Sequence, residues 1–205
     1  MKTNVSGRQK ALTILYPFVM KVARWLGRNS QVLRNDKQLP PVRPVYELSV
    51  VLNDGKVMPL LELKGKKLLL VNTASNCGYT AQYAELQQLQ EQYQHQLVII
   101  GFPANDFKEQ EKGSDADIAQ FCQRNFGVTF PLVKKSSVIK GSAQHAVFRW
   151  LSHPEENGWN HQAPSWNFSK YLVDEKGVLT HYFDPSISPL GKEMVSAIES
   201  GADAR

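Results

Sequence analysis

LLLVNTASNCGYTAQYAELQQL, Leu68 to Leu89, opens as an unbroken apolar run, breaks on small and polar residues, and resumes with apolar side chains at helical spacing. The run KKLLLVNTA reads as a strand buried on both faces. In AQYAELQQLQEQYQ, Tyr83, Leu86, Leu89 and Tyr93 fall along one face of a helix. A second apolar run, LVIIGFP from Leu97 to Pro103, follows directly. Strand, helix and strand in this order form a βαβ unit.

Working outward, VYELSVVL, the turn NDGK and VMPLLEL predict a hairpin upstream, with Asp54-Gly55 as its turn dipeptide. Downstream, SDADIAQFCQRNF opens with Ser114 and has Asp117 three residues later, a variant of the capping box that predicts a helix. TFPLVKKS is a short extended piece and QHAVFRWL a short helix. WNFSKYLVD, the turn EKG and VLTHYFD form a second hairpin, and SPLGKEMVSAIES closes the chain as a helix. The order predicts an α/β protein of thioredoxin-like architecture: a central mixed sheet flanked by helices, with an N-terminal β-hairpin.

The charge divides unevenly. Residues 1–44 hold nine Lys/Arg against one acid, Asp36, whereas the remainder has more acids than bases. The body is therefore mildly acidic, which argues against nucleic-acid binding. In the head, Leu12, Leu15, Tyr16, Val19, Val22, Ala23 and Leu26 recur at helical spacing, with Lys10, Lys21, Arg24 and Arg28 on the opposite face. Such a basic amphipathic helix, residues 10–28, suits peripheral contact with an anionic membrane surface, or packing on the body or a second copy. The apolar run from Ala11 to Met20 is too short to span a bilayer. Residues 29–44, with Pro40, Pro41 and Pro44, read as a linker. The organisation expected is thus an extension over 1–28, a linker over 29–44 and a compact domain over 45–205.

Two cysteines cannot make a disulfide framework, and no CxxC or His/Cys cluster suggests a metal. A reducing, cytoplasmic setting is the expectation, with any disulfide transient. Cys77 stands where the first buried strand hands over to a helix, beyond the carboxyl end of the strand, where reactive groups of open α/β sheets gather. Helix N-termini favour thiolate over thiol, and the thiolate is the nucleophile. Gly78 beside it would let a substrate or another backbone approach closely. A buried inert thiol is the alternative, and position alone leaves both open. Gln110, with Asn105 nearby, lies in the loop after the second strand, and Trp166-Asn167 opens a later one. Their neutral N–H groups could stabilise a sulfur anion without a histidine.

VNTASNCGYTAQYAEL, GFPANDFKEQEKG, FCQRNFGVTFP and WNFSKYLVD, in this order, resemble the cysteine-containing form of the glutathione peroxidase family over about residues 45–200. The resemblance implies a thioredoxin-like fold and reduction of hydrogen peroxide and of organic or lipid hydroperoxides. It implies Cys77 as the peroxidatic residue, with Gln110, Trp166 and Asn167 as its catalytic partners. Cys122 corresponds to the resolving cysteine of many cysteine-type members; a Cys77–Cys122 disulfide would then be reduced by thioredoxin, with glutathione a poorer donor. Packing on its helix face is the other reading of Cys122. No resident cofactor is implied. Ala104 stands where the family often has a cysteine, and Lys112 replaces the proline of its QEPG motif. The short segment SHPEENGWNHQAPS lacks the insertion of tetrameric members, which favours a monomer. A peroxide sensor relaying oxidation to a partner protein would use the same cysteines.

Overall fold

The computed structural model describes residues 31–200. A five-stranded sheet has the order β1-β7-β6-β4-β5, built from β1 (Val32–Arg34), β4 (Lys67–Thr73), β5 (Leu97–Pro103), β6 (Lys170–Val173) and β7 (Leu179–Phe183). A separate hairpin pairs β2 (Ser49–Val51) with β3 (Val57–Pro59). Among the described residues five helices accompany them: α1 (Gln82–Gln92), α2 (Asp115–Phe126), α3 (Ala146–Ser152), α4 (Pro154–Asn157) and α5 (Lys192–Glu199).

The βαβ unit forms as expected, with β4 and β5 parallel and Leu69 opposite Ile99. All seven residues of β4 are buried, because helices cover both faces of the sheet. Leu69, Val71, Leu97 and Ile99 point to one core, shared with Leu86 of α1, Ile118 of α2 and Met194 of α5. Leu68, Leu70, Ile100 and Phe102 point to the other, with Phe148 and Trp150 of α3 and Val50 of the hairpin. β6 and β7 run antiparallel to their neighbours, so the sheet is mixed.

Two buried lysines sit at strand starts where an apolar residue would be the default. Lys67 Nζ donates to the carbonyls of Ile198 and Ser200 at the end of α5. Lys170 Nζ donates to Pro185 and Ile187 carbonyls, at 3.2 and 2.7 Å. Each amine thus serves buried carbonyls, the Pro185 one shared with Gln82 Nε2.

Several boundaries differ from the reading of the sequence. VYELSVVL begins as a 3₁₀ turn over Val45–Glu47, and VMPLLEL leaves the strand after Pro59 for a 3₁₀ turn over Leu60–Leu63. α4 was not expected. The expected linker, residues 29–44, is a correction, since from residue 31 onward it is part of the domain. β1 adds an edge strand to β7, pairing Leu33 with Tyr182. Trp150 Nε1 donates to the Arg43 carbonyl at 2.7 Å, and Arg43 N–H to the Glu156 carbonyl at 2.9 Å. Gly158, at φ +94°, lies so close under Pro40 that a Cβ there would stand 2.3 Å from its carbonyl oxygen. The prolines exclude helix, but an extended chain can still dock along an edge. The expected amphipathic helix over 10–28 lies outside the described residues. Among the described residues no helix is long and apolar enough to cross a membrane.

Candidate active site

Cys77 lies in the turn between β4 and α1, and it is 3% exposed. α1 begins only at Gln82, so residues 78–81 separate the sulfur from the helix. The expected helix N-terminus is therefore replaced by a turn. Thr80 Oγ1 accepts the Cys77 N–H at 2.9 Å and donates to the Ala74 carbonyl at 2.9 Å, which closes the turn on itself. That closure aims the Tyr79 N–H at Cys77 Sγ, 3.5 Å away. No other residue comes within 4 Å of where a Gly78 side chain would start, which leaves that approach to the sulfur open.

Two side chains from the turn before β6, the strand paired with β4, approach the same sulfur. The Asn167 amide and the Trp166 indole are near enough to Cys77 that both favour its charged form. They sit in the turn before β6, which starts only at Lys170, so they precede the strand rather than open it. The turn is held by Asn72, a polar residue that follows the apolar run of β4. Asn72 Nδ2 donates to the Trp166 carbonyl at 3.1 Å, and Asn72 Oδ1 accepts the Ser169 N–H at 3.0 Å. Phe168 takes a positive φ of 68° in this turn, a strained conformation that the Asn72 bonds enforce. The Trp166 ring packs on Phe107 with centroids 5.3 Å apart.

Gln110 plays a part different from the one expected. Its Oε1 accepts from Asn167 Nδ2 at 2.9 Å, so it orients Asn167 rather than addressing the sulfur. Asn167 Oδ1 is buried and has no protein partner, which leaves an acceptor free beside the thiol. The loop carrying Gln110 is tied to the cysteine turn by the Asn76 N–H, 3.0 Å from the Gln110 carbonyl. Glu111, 1% exposed, accepts from Ser75 Oγ at 3.0 Å, and its own N–H donates to Asn105 Oδ1 at 2.9 Å. Asn72, Ser75 and Glu111 were not singled out from the sequence. The signal was there for two of them: Asn72 ends an apolar run, and Glu111 adjoins Gln110.

The electrostatic balance at Cys77 is also a correction. Burial has the largest influence and pushes the thiol above its ordinary value. The Tyr79 N–H, Asn167, Trp166 and the Gly78 N–H all pull the other way, and together they do not overcome it. The donors gather as the residue types predict, yet burial tips the balance toward the thiol form.

Cys122 is the eighth residue of the twelve-residue α2, fully buried, and both cysteines are free. α2 has the expected capping box at Ser114 and Asp117. Cys122 shares the apolar cluster of Cys77 and faces the Tyr83 hydroxyl of α1. Burial pushes its thiol up to about 12, with Tyr83 opposing and Glu111 adding to the rise.

A thioredoxin-like sheet with a cysteine at the carboxyl end of β4, ringed by indole, amide and backbone N–H donors, defines a thiol-based oxidoreductase. Residues 45–152 match the model of the family described as glutathione peroxidase. The chain is 43% identical over 145 residues to glutathione peroxidase-like peroxiredoxin HYR1 of Saccharomyces cerevisiae, covering 70% of this chain and 88% of that one. It is 40% identical over 158 residues to the glutathione peroxidase homolog BsaA of Bacillus subtilis, covering 76% and 98%. The crystal structure of T. cruzi GPX1 superimposes with a TM-score of 0.57 at 29% identity, covering 76% of this chain and 93% of that one. The chain belongs to the glutathione peroxidase family, and it is a thiol peroxidase.

Proposed function

We propose that Cys77 is the attacking sulfur of this peroxidase and that Cys122 resolves the product. The observation that carries this reading is the convergence of Trp166, Asn167 and the Tyr79 N–H on one sulfur. In the first step Cys77 Sγ attacks the terminal peroxide oxygen and the O–O bond breaks. The sulfur is oxidised to a sulfenic acid, and water or an alcohol leaves. The proton that the thiol gives up is the one the leaving oxygen needs, so the step balances. Asn167 Oδ1, free beside the sulfur, accepts a hydrogen bond from the peroxide hydroxyl. Gln110 keeps Asn167 in that orientation.

In the second step the Cys122 sulfur attacks the sulfenic sulfur, an S–S bond forms, and water leaves. A disulfide requires Cα atoms within about 7 Å of each other. Cys122 is buried well along α2, so the segment from Ser114 to Gly127 opens locally before the bond forms. Thioredoxin then returns both thiols by exchange, with glutathione the slower donor and no resident cofactor involved. Residues 10–28, basic and amphipathic in sequence, bring the enzyme to anionic membranes and so to lipid hydroperoxides.

Mass spectrometry after one equivalent of hydrogen peroxide tests the scheme. Wild type yields a Cys77–Cys122 disulfide, Cys122→Ser stops at the sulfenic acid, and Cys77→Ser consumes no peroxide. Thioredoxin-driven turnover by Cys122→Ser at the wild-type rate would remove Cys122 from the cycle.

A further inference from the structure

Glu111 is a buried carboxyl that the proposed chemistry does not use. It lies next to Gln110 in sequence, yet its side chain turns away from the sulfur and toward Ser75, two residues before Cys77. Ser75 offers it both a hydroxyl and a backbone N–H. The titratable groups facing it are Tyr83 from α1, Cys122 from α2 and Lys135 from the segment after α2. Between the two loops runs one further tie, the Asn76 N–H to the Gln110 carbonyl.

We propose that Glu111 is a positioning residue for peroxide reduction: its carboxylate clamps the Cys77 turn to the Gln110 loop through Ser75, and protonation loosens the clamp. This rests on the reading of Cys77 as the attacking sulfur. An ionised carboxylate accepts both Ser75 donors in charge-assisted bonds, roughly twice as strong as neutral ones. A protonated carboxyl gives one oxygen over to donating and holds Ser75 more weakly. The loop that slackens is the one whose Gln110 orients Asn167 on the sulfur, so a loose clamp blurs the attack geometry. Burial, opposed by Ser75 and Lys135, raises this carboxyl to about 7, which places the change within the physiological range.

The test is the rate of Cys77 oxidation in a single turnover with hydrogen peroxide, followed from pH 5.5 to 9. Wild type shows a limb near pH 7, distinct from the alkaline limb of the thiol itself. Glu111→Gln keeps the side-chain shape and an acceptor for Ser75 but cannot ionise. It loses the limb near pH 7 and reacts about tenfold more slowly at pH 8, the factor for one charge-assisted bond's worth of alignment. Glu111→Asp retains a limb at a shifted pH, which separates titration from mere packing. A Glu111→Gln enzyme with the wild-type limb and the wild-type rate at pH 8 overturns the proposal. Peroxide consumption by Cys77→Ser tells the two failures apart: if it matches wild type, the attacking sulfur was misassigned, whatever Glu111 does.

Discussion

Glu111→Gln should make the protein more stable at alkaline pH and not at acid pH. The carboxyl titrates at 4.5 when free and at about 7 in the fold, because burial outweighs the Ser75 donors. The folded state therefore holds the proton more tightly than the unfolded chain. Stability from this group is fully present below pH 4.5, is lost as pH rises toward 7, and stays lost above. Ionising the buried group costs about 3 kcal/mol once both states are charged. Gln carries no such cost, though its amide N–H groups give back ~1 kcal/mol where they lack buried acceptors. The net gain is about 2 kcal/mol at pH 8.5, turning to a loss of ~1 kcal/mol at pH 4.5. Urea denaturation of the reduced proteins at a series of pH values measures it. Titrating groups that do not face Glu111, including His181, which burial lowers to about 4, act on both proteins alike and cancel in the difference. Parallel stability curves for wild type and Glu111→Gln would show that the buried carboxyl does not titrate as its surroundings dictate.

Gly158→Ala places a Cβ against the Pro40 carbonyl at a φ of +94°, and it should cost about 2 kcal/mol or more in urea denaturation by lifting residues 39–41 off the domain. Removing residues 1–30 should leave the unfolding midpoint and the peroxide rate intact while abolishing binding to anionic vesicles. Removing 1–44 should also lower the midpoint, because β1, its bonds to β7 and the Arg43 carbonyl that holds Trp150 go with it; equal midpoints for the two truncations would return residues 31–44 to the status of a linker.

The βαβ unit was legible because its signals are dense. Seven consecutive buried positions in β4 and a single helix face in α1 leave little alternative. The ends of the elements were less so. Leu60–Leu63 reads as a continuation of β3 by composition, but the backbone leaves the strand at Pro59, whose missing N–H cannot serve a ladder. β1 is three residues long and takes its place from β7, a partner nearly 150 positions away, so no local pattern announces it. In the site, residue types disclosed the donors, since Trp, Asn and the backbone all carry N–H groups that a sulfur can accept. They did not disclose that Gln110 would present its oxygen to Asn167, because an amide offers both ends and only geometry chooses.

The same division explains why the sequence alone left the charge state of Cys77 open. Donor count is a property of residue types, whereas desolvation depends on how completely neighbours close over a group, and that is tertiary. With the sulfur nearly sealed from water, burial outweighs the four neighbouring N–H groups that oppose it. The donors are then of most consequence when the proton leaves the sulfur ahead of attack; as the O–O bond breaks, the charge passes to the leaving oxygen. Their positions are fixed beforehand: Asn167 by Gln110, Trp166 by Asn72, and the Tyr79 N–H by the Thr80 turn. Dipoles held in place inside a dry site stabilise a developing charge without reorganising. A site that keeps its nucleophile neutral until a peroxide enters follows from burial and preorganisation acting together. On that account, loosening any of the three supports should slow the attack more than it alters the titration of the free enzyme.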